Sequence, residues 1–309
     1  HGQWRIFGLS TARFRRYYRS CGTRTLTSRH VQPTKEPYVV NEVAVRAMTG
    51  FVYVALTIGA ALAGPFTTAL LFFPICLLAA DEMHKLLWAE GESYPPFWSV
   101  LIAGAMYVAM ALGHFEPFWE WTYTAGLAIL LLSISLIWVM LRGFTNPSNL
   151  LGGSFIIILL VALPFGSLPY LFKHGSWMFI AFMIMLWTND TGAYLIGRAI
   201  GRTKLMPTVS PKKTVEGFLG GFVLTMVASY IISYYDDTIS MTHWLMVGAL
   251  TSLTSTVGDL IESAFKRARG VKDAGNLLPG HGGILDRFDG FLVAVPAVVI
   301  YLNWIFEVT

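Results

Sequence analysis

Between two long apolar runs, residues 263–289 read SAFKRARGVKDAGNLLPGHGGILDRFD, and the run before them closes with Gly258, Asp259 and Glu262. On a helix Asp259, Glu262, Ser263 and Lys266 fall at i, i+3, i+4 and i+7, so two carboxylates, a hydroxyl and an ammonium share one stripe. Asp286 and Asp289 are again three apart, just after the Gly280-His281-Gly282-Gly283 turn, where the chain can bring Asp286 near Asp259. Carboxylates in that number suit Mg²⁺, which takes a few acidic ligands together with water and substrate phosphates. Lys266, Arg267, Arg269, Lys272 and Arg287 stand around them. Acids to hold a divalent cation, ringed by bases, are the equipment of phosphoryl or nucleotidyl transfer, where positioning and charge neutralisation do most of the catalysis. Taken singly, each base has a plainer account: Arg287 as a salt bridge between aspartates, Arg269 as a snorkelling interfacial residue, His281 as a polar turn residue. The clustering beside glycine-rich turns is what favours chemistry.

Two further polar clusters bear on the same site. Asn189 and Asp190 sit inside an apolar run, LWTNDTGAYLIG. A charge at membrane depth costs roughly 2.5–3.5 kcal/mol on insertion scales, so such an aspartate takes a paired or functional role. Asn189, Ala193 and Gly197 form a face of small residues open to close approach by a helix or a ligand. Contact with a bound nucleotide and a helix–helix hydrogen bond are both open for this pair. Farther on, Ser210-Pro211-Lys212-Lys213-Thr214 precedes an apolar run. The order predicts a helix start at Ser210 and Pro211 whose amides, with Lys212, Lys213 and Thr214, bind an anion such as phosphate. Gly217, Gly220 and Gly221 then permit near approach of other backbone. Ordinary basic residues flanking a span are the alternative.

The elements that must position these groups are membrane helices. The 309 residues are 55% hydrophobic and 13% charged, with a mean hydropathy of +0.57. Soluble domains carry about 25% charged residues, so the composition excludes an ordinary soluble enzyme. Nine apolar segments, at about 46–62, 64–80, 97–113, 121–141, 150–171, 176–197, 216–235, 243–262 and 285–305, approach or exceed the length needed to cross a hydrocarbon core. Strand-like alternation is absent, so the expected fold class is all-α, a polytopic helical bundle rather than a barrel. Gly64 and Pro65 predict a tight hairpin, and Pro74, Pro164 and Pro296 predict kinks. With nine spans, 21 of the 22 Lys and Arg fall on one side and only Lys173 on the other. That bias places the N-terminus and all three polar clusters on the cytosolic face. Residues 1–45 form a basic tail, read as a disordered juxtamembrane segment, with an organelle transit segment or a polybasic segment on anionic lipid as the alternatives. Residues 46–309 read as one membrane domain with its catalytic part at about 180–290. The first five spans are poor in polar residues and read as scaffold, with Asp81, Glu82, His84 and Lys85 as their one polar cluster. Cys21 and Cys76 have no partner spacing and read as reduced.

The spacing S-x-x-K-R-x4-K-D-x-[small]-x3-P-x-H-G-G-x-x-D-R-x-D is matched without a gap by Ser263, Lys266, Arg267, Lys272, Asp273, Gly275, Pro279, His281, Gly282, Gly283, Asp286, Arg287 and Asp289. In this the chain resembles the phosphatidate cytidylyltransferases, or CDP-diacylglycerol synthases, and more the bacterial type than the longer endoplasmic-reticulum type. Asn189 to Tyr194 and Ser210 to Gly221 are similar to that family's two upstream motifs. The resemblance is strong over about 180–290 and covers the N-terminal half only in general character.

The resemblance implies the reaction CTP plus phosphatidate giving CDP-diacylglycerol and pyrophosphate. It implies that Asp259 and Asp286 hold Mg²⁺, with Asp289 completing the shell, and that a monovalent cation such as K⁺ accompanies it. By the same token Ser210, Lys212 and Lys213 bind the triphosphate, Lys266, Arg267 and Lys272 steady the phosphatidate head group or the pyrophosphate, and His281, Gly282 and Gly283 shape the nucleotide pocket. A homodimer in a bacterial inner membrane is expected, with an organelle membrane as the alternative raised by the basic tail. No nucleic-acid partner is expected. A secondary transporter is the rival from another class, but it calls for carboxylates near the midplane in two related halves, whereas these cluster at one face of one half. A CDP-alcohol phosphotransferase is set aside because its D-G-x2-A-R motif is absent.

Overall fold

Helix α1 (Glu42–Ala63) and helix α2 (Pro65–Leu87) are separated by Gly64 alone. Gly64 adopts φ +120°, a conformation that favours glycine, and Pro65 opens α2 at a position where its missing N–H costs nothing. Thr67 and Thr68 donate their hydroxyls to Gly64 O at 2.8 and 3.0 Å, closing the hairpin. The computed structural model describes residues 42–88, 94–115, 121–141, 147–173, 175–277 and 282–308. His281 and the basic tail lie outside the described residues.

Helices α3 (Pro96–Phe115) and α4 (Trp121–Leu141) follow, and the fifth span, 147–172, is segmented. It runs as α5 (Pro147–Ile157), a π-helical turn (Ile158–Ala162), α6 (Leu163–Gly166) and a 3₁₀ turn (Leu168–Phe172). The expected disturbance at Pro164 thus takes the form of a widened turn. A proline ring crowds the carbonyl four residues back and offers it no N–H, and lengthening the ring of the hydrogen bond relieves both defects. Pro74 and Pro296 are carried inside continuous helices.

Helix α7 (Ser176–Ile200) leads through a short hairpin to α8 (Val215–Tyr235), then α9 (Met241–Ala268), a single turn α10 (Leu285–Phe288) and α11 (Phe291–Val308). Among the described residues six helices are long and apolar enough to cross a membrane, and α1, α4 and α11 contain three shorter apolar stretches. These nine coincide with the nine apolar segments of the sequence. The chain is a polytopic helical membrane protein.

The hairpin corrects one expectation. Residues 210–214 do not begin a helix; Ser210–Thr214 is strand β2, antiparallel to β1 (Lys204–Met206), with Lys204 opposite Thr214 and Met206 opposite Ser210. Pro211 is tolerated because a two-stranded ribbon leaves donors on its open edges unneeded. The helix starts one residue after Thr214, whose Oγ1 accepts from Gly217 N at 3.2 Å as N-cap. Glu216 ties the hairpin base, its carboxylate accepting from Arg202 N and Thr203 N at 3.0 Å each.

Among the described residues helices α7 and α8 share the most extensive helix–helix contact. A Cβ on Gly217 would lie 2.8 Å from Ala193 O, and one on Gly221 would lie 2.7 Å from Asn189 O, so only glycine permits this approach. The small-residue face of α7 therefore packs on a helix. Beneath the polar end lies an aromatic cluster: Phe72 of α2 stacks on Phe291 of α11 at 6.1 Å, and Phe165 of α6 meets Phe288 of α10 at 5.3 Å, edge-on. It binds the N-terminal helices to the signature segment.

Candidate active site

Helices α7, α8 and α9, the hairpin and the segment before α11 converge at one end of the bundle around a cleft of about 630 Å³, which α8 lines with Gly217 and Phe218. Helix α7 lines it with Asn189, Asp190, Tyr194 and Arg198, the hairpin with Leu205, Lys212 and Lys213, α9 with Ser255, Thr256 and Asp259, and the segment before α11 with Asp286, Arg287 and Asp289. Each piece is local in sequence, and their meeting depends on how α9 ends. Gly270 (φ +71°) donates to Arg267 O at 3.0 Å and Val271 N donates to Lys266 O at 3.0 Å, the two bonds of a Schellman cap. The chain thereby reverses directly after Lys266. Gly258 then lets Asp289 and Gly290 pack against α9, since a Cβ there would overlap Asp289 O.

The acidic group differs from the expected one. One oxygen or more from each of Asp259, Glu262 and Asp289 lies within 4.8 Å of the others, an arrangement able to hold a metal ion. Asp286 lines the same cleft, but its oxygens are engaged: Oδ1 accepts from Lys266 Nζ at 2.7 Å, and Oδ2 accepts from Ala274 N and Gly283 N at 2.8 Å each. Burial works against ionisation of Asp286, yet Lys266 and these two amides outweigh it and hold the carboxyl below its usual range. Asp289 is the opposite case. Burial first, and then the facing carboxylates of Asp259, Glu262 and Asp190, push it well above the usual range, against one bond from Gly290 N at 2.7 Å. The two aspartates at i and i+3 lie in different places: Asp286 is inside the single turn α10, and Asp289 caps its end before α11 begins.

Glu262, fully buried, thus takes the place in the acidic group that the sequence reading assigned to Asp286. Its spacing from Asp259 is a legible signal; its contact with Asp289 is not. Lys266 is buried, 8% exposed, and ion-pairs with both Glu262 and Asp286, so it faces protein carboxylates where a head-group contact was expected. Lys213 pairs with Asp259 across the cleft. Arg267 donates to Val209 O at 3.2 Å and Val271 O at 2.8 Å, tying the hairpin to the end of α9. Lys272 is exposed and Ser210 is half-buried on β2, and neither is among the cleft-lining residues. Thr214 borders the cleft as the helix cap.

Asn189 makes the helix–helix hydrogen bonds of one alternative while also lining the cleft: Nδ2 donates to Ser255 Oγ at 2.9 Å and Oδ1 accepts from Ser252 Oγ at 2.6 Å, pinning α7 to α9. Asp190 lines the cleft beside it. Gly282 (φ +83°) leaves room for the Asp286 carboxylate, and Gly283 supplies one of its amides. Arg198, Tyr194 and Arg287 complete the lining; Arg198 donates to the Tyr194 hydroxyl at 3.1 Å.

A family model described as "Cytidylyltransferase family" matches residues 44–305 of the chain. The chain belongs to the cytidylyltransferase family. Curated relatives include proteins named phosphatidate cytidylyltransferase from Staphylococcus haemolyticus, 30% identical over 263 residues, and from Staphylococcus aureus, 31% identical over 266 residues. A third, from Staphylococcus epidermidis, is 31% identical over 264 residues. Each alignment covers 84% of this chain and 98% of the relative. As a member of the cytidylyltransferase family the chain is a nucleotidyl-transferring enzyme, and the match takes in the N-terminal helices as well as the signature segment.

Proposed function

We propose that this enzyme transfers the cytidylyl group of CTP to phosphatidate, releasing pyrophosphate and leaving CDP-diacylglycerol in the membrane. The observation that carries the reading is that Asp259 and Asp289, grouped with the buried Glu262 behind them, share one cleft with Lys212, Lys213, Arg198 and Arg287 at the end of the spanning helices. Two mutually repelling anions must be brought together there, and the cleft supplies the countercharge. Names of the bacterial relatives support phosphatidate as acceptor.

A divalent cation fits the acidic group. Glu262 Oε1 is buried without a hydrogen-bond partner, and burial together with its carboxylate neighbours raises the proton affinity of Asp289, so three acids share two ammonium partners, Lys213 and Lys266. Asp259, Glu262 and Asp289 would hold Mg²⁺, which when bound supplies charge neutralisation at the substrate phosphates. Lys212 and Lys213 bind the triphosphate; Lys213 exchanges Asp259 for it. Arg198 and Arg287 sit across the cleft for the second phosphate. Asp286 and Lys266 hold the signature loop against α9, and Arg267 anchors the hairpin. A phosphate monoester has a second pKa near 6, so phosphatidate arrives largely dianionic and needs no strong base. One of its oxygens attacks the α-phosphorus in line, the bond to the α–β bridging oxygen breaks, and pyrophosphate leaves with that electron pair.

Residues 46–309 act as one membrane domain in this reading. The excess of Lys and Arg on one side supports a cytosolic N-terminus and a cytosolic cleft, and the bacterial relatives support an inner membrane. Purified protein in detergent, given labelled CTP, phosphatidate and Mg²⁺, is expected to form lipid-linked CMP. No such product, where a staphylococcal relative makes it, would sink the reading.

A further inference from the structure

Among the described residues the N-terminal half contributes one buried carboxylate to the polar end of the molecule. Glu82, near the end of α2, is 5% exposed. Its Oε1 accepts from Ile284 N at 3.0 Å and its Oε2 accepts from Leu285 N at 2.8 Å, across some 200 residues of chain. Those amides belong to the start of α10, where a helix has donors and no carbonyls of its own to meet them. Two glycines of the signature close on the same carboxylate: a Cβ on Gly275 or Gly283 would overlap the Glu82 carboxylate group. Gly283 N and Ala274 N, next to these contacts, are the amides that hold Asp286. Nearby, Arg269 Nε donates to Lys85 O at 3.2 Å, a second tie between α2 and the end of α9.

We infer that Glu82 is a positioning residue for the acidic group: seated between the 274–275 and 283–285 segments, it fixes α10 and through it the placement of Asp286 and Asp289. It touches no cleft residue directly and acts on the amides from which the two aspartates are hung. A carboxylate rather than an amide is required because both of its oxygens accept from backbone; a glutamine would turn an NH₂ toward one of two buried N–H groups. The inference rests on the proposed reaction only where turnover is concerned.

The test uses the full chain in detergent and compares wild type with Glu82→Gln and Gly275→Ala. Hydrogen exchange of the peptide covering 282–288 and Mn²⁺ binding followed by electron paramagnetic resonance need no substrate. Because the amide leaves one of two buried donors unpaired, Glu82→Gln is expected to speed exchange at Ile284 and Leu285 by roughly tenfold. Mn²⁺ binding is expected to weaken by about fivefold or more, since a displaced Asp289 no longer meets Asp259 and Glu262. In the transfer assay the Mg²⁺ concentration for half-maximal rate rises with it, while the KM for CTP stays within about twofold because the hairpin lysines are untouched. Gly275→Ala, which crowds the same carboxylate from the other side, is expected to reproduce the pattern. A partly unfolded preparation lowers the rate without moving the Mg²⁺ requirement. Wild-type exchange and wild-type Mn²⁺ affinity in both variants would overturn the inference, and would do so even if wild type made no CDP-diacylglycerol.

Discussion

Replacing Glu262 by Gln separates two kinds of acid at the candidate site, those grouped with one another and the one engaged by Lys266 and backbone amides. In the metal-free protein Glu262 faces Asp259 and Asp289 within 4.8 Å and one partner, Lys266. The neighbouring carboxyls disfavour charge on Glu262 and the closer Lys266 ammonium favours it, two opposing effects of similar size. The amide keeps the shape and ends the two repulsions, and Lys266 retains Asp286 at 2.7 Å. Without metal the variant should therefore unfold at the wild-type temperature or a few degrees above it. With Mg²⁺ it should lose the ion-dependent rise in unfolding temperature that wild type shows, and turnover should fall at least 10²-fold, about 2.7 kcal/mol of transition-state stabilisation. Asp286→Asn is the contrast. It strips charge from a carboxylate bonded to Lys266, Ala274 N and Gly283 N, so it should lose about 1–3 kcal/mol of stability with or without Mg²⁺. Its turnover should also drop about 10²-fold, through the displaced loop. Scanning fluorimetry with and without Mg²⁺, beside the labelled-CTP assay, reads all four quantities. Near-normal turnover and an intact Mg²⁺ shift in Glu262→Gln would refute the assignment of that carboxylate to the metal.

Lys213→Ala should raise the KM for CTP by about tenfold, the scale of a charge-assisted hydrogen bond, without weakening Mn²⁺ binding, because it removes a cation that competes for Asp259; steady-state kinetics and resonance titration check the two halves. Asn189→Ala should lower stability by about 1–3 kcal/mol, as it leaves Ser252 and Ser255 facing a void between α7 and α9; thermal unfolding measures it. Asp286 is held below its unfolded value, so the stability it contributes is complete above about pH 4 and is lost as pH falls through its folded value. Acid unfolding of Asp286→Asn should accordingly depend less on pH in that window than that of wild type.

Nine apolar segments, the Gly64-Pro65 hairpin and the disturbance at Pro164 were all legible in the chain, because membrane helices are written in local composition and proline acts on its own turn. The carboxylates and bases of residues 258–289 were equally legible as a group. The hairpin at 204–214 was not: Ser-Pro ahead of an apolar run is a helix-start pattern, and only pairing with Lys204–Met206 shows Ser210–Thr214 to be a strand.

What the sequence determined by itself is the class of chemistry and the helices that carry it, since both depend on residue type and short-range spacing. The tertiary structure decided what surrounds each carboxylate. Asp286 and Asp289 have the same type and helical spacing, yet one is spent on Lys266 and two amides while the other meets Asp259 and Glu262. It also drew Glu82 out of the helices read as scaffold and set it under α10. Those roles follow from which backbone amides and which distant charges surround each oxygen, and such contacts exist only once α2, α9 and α10 are packed together.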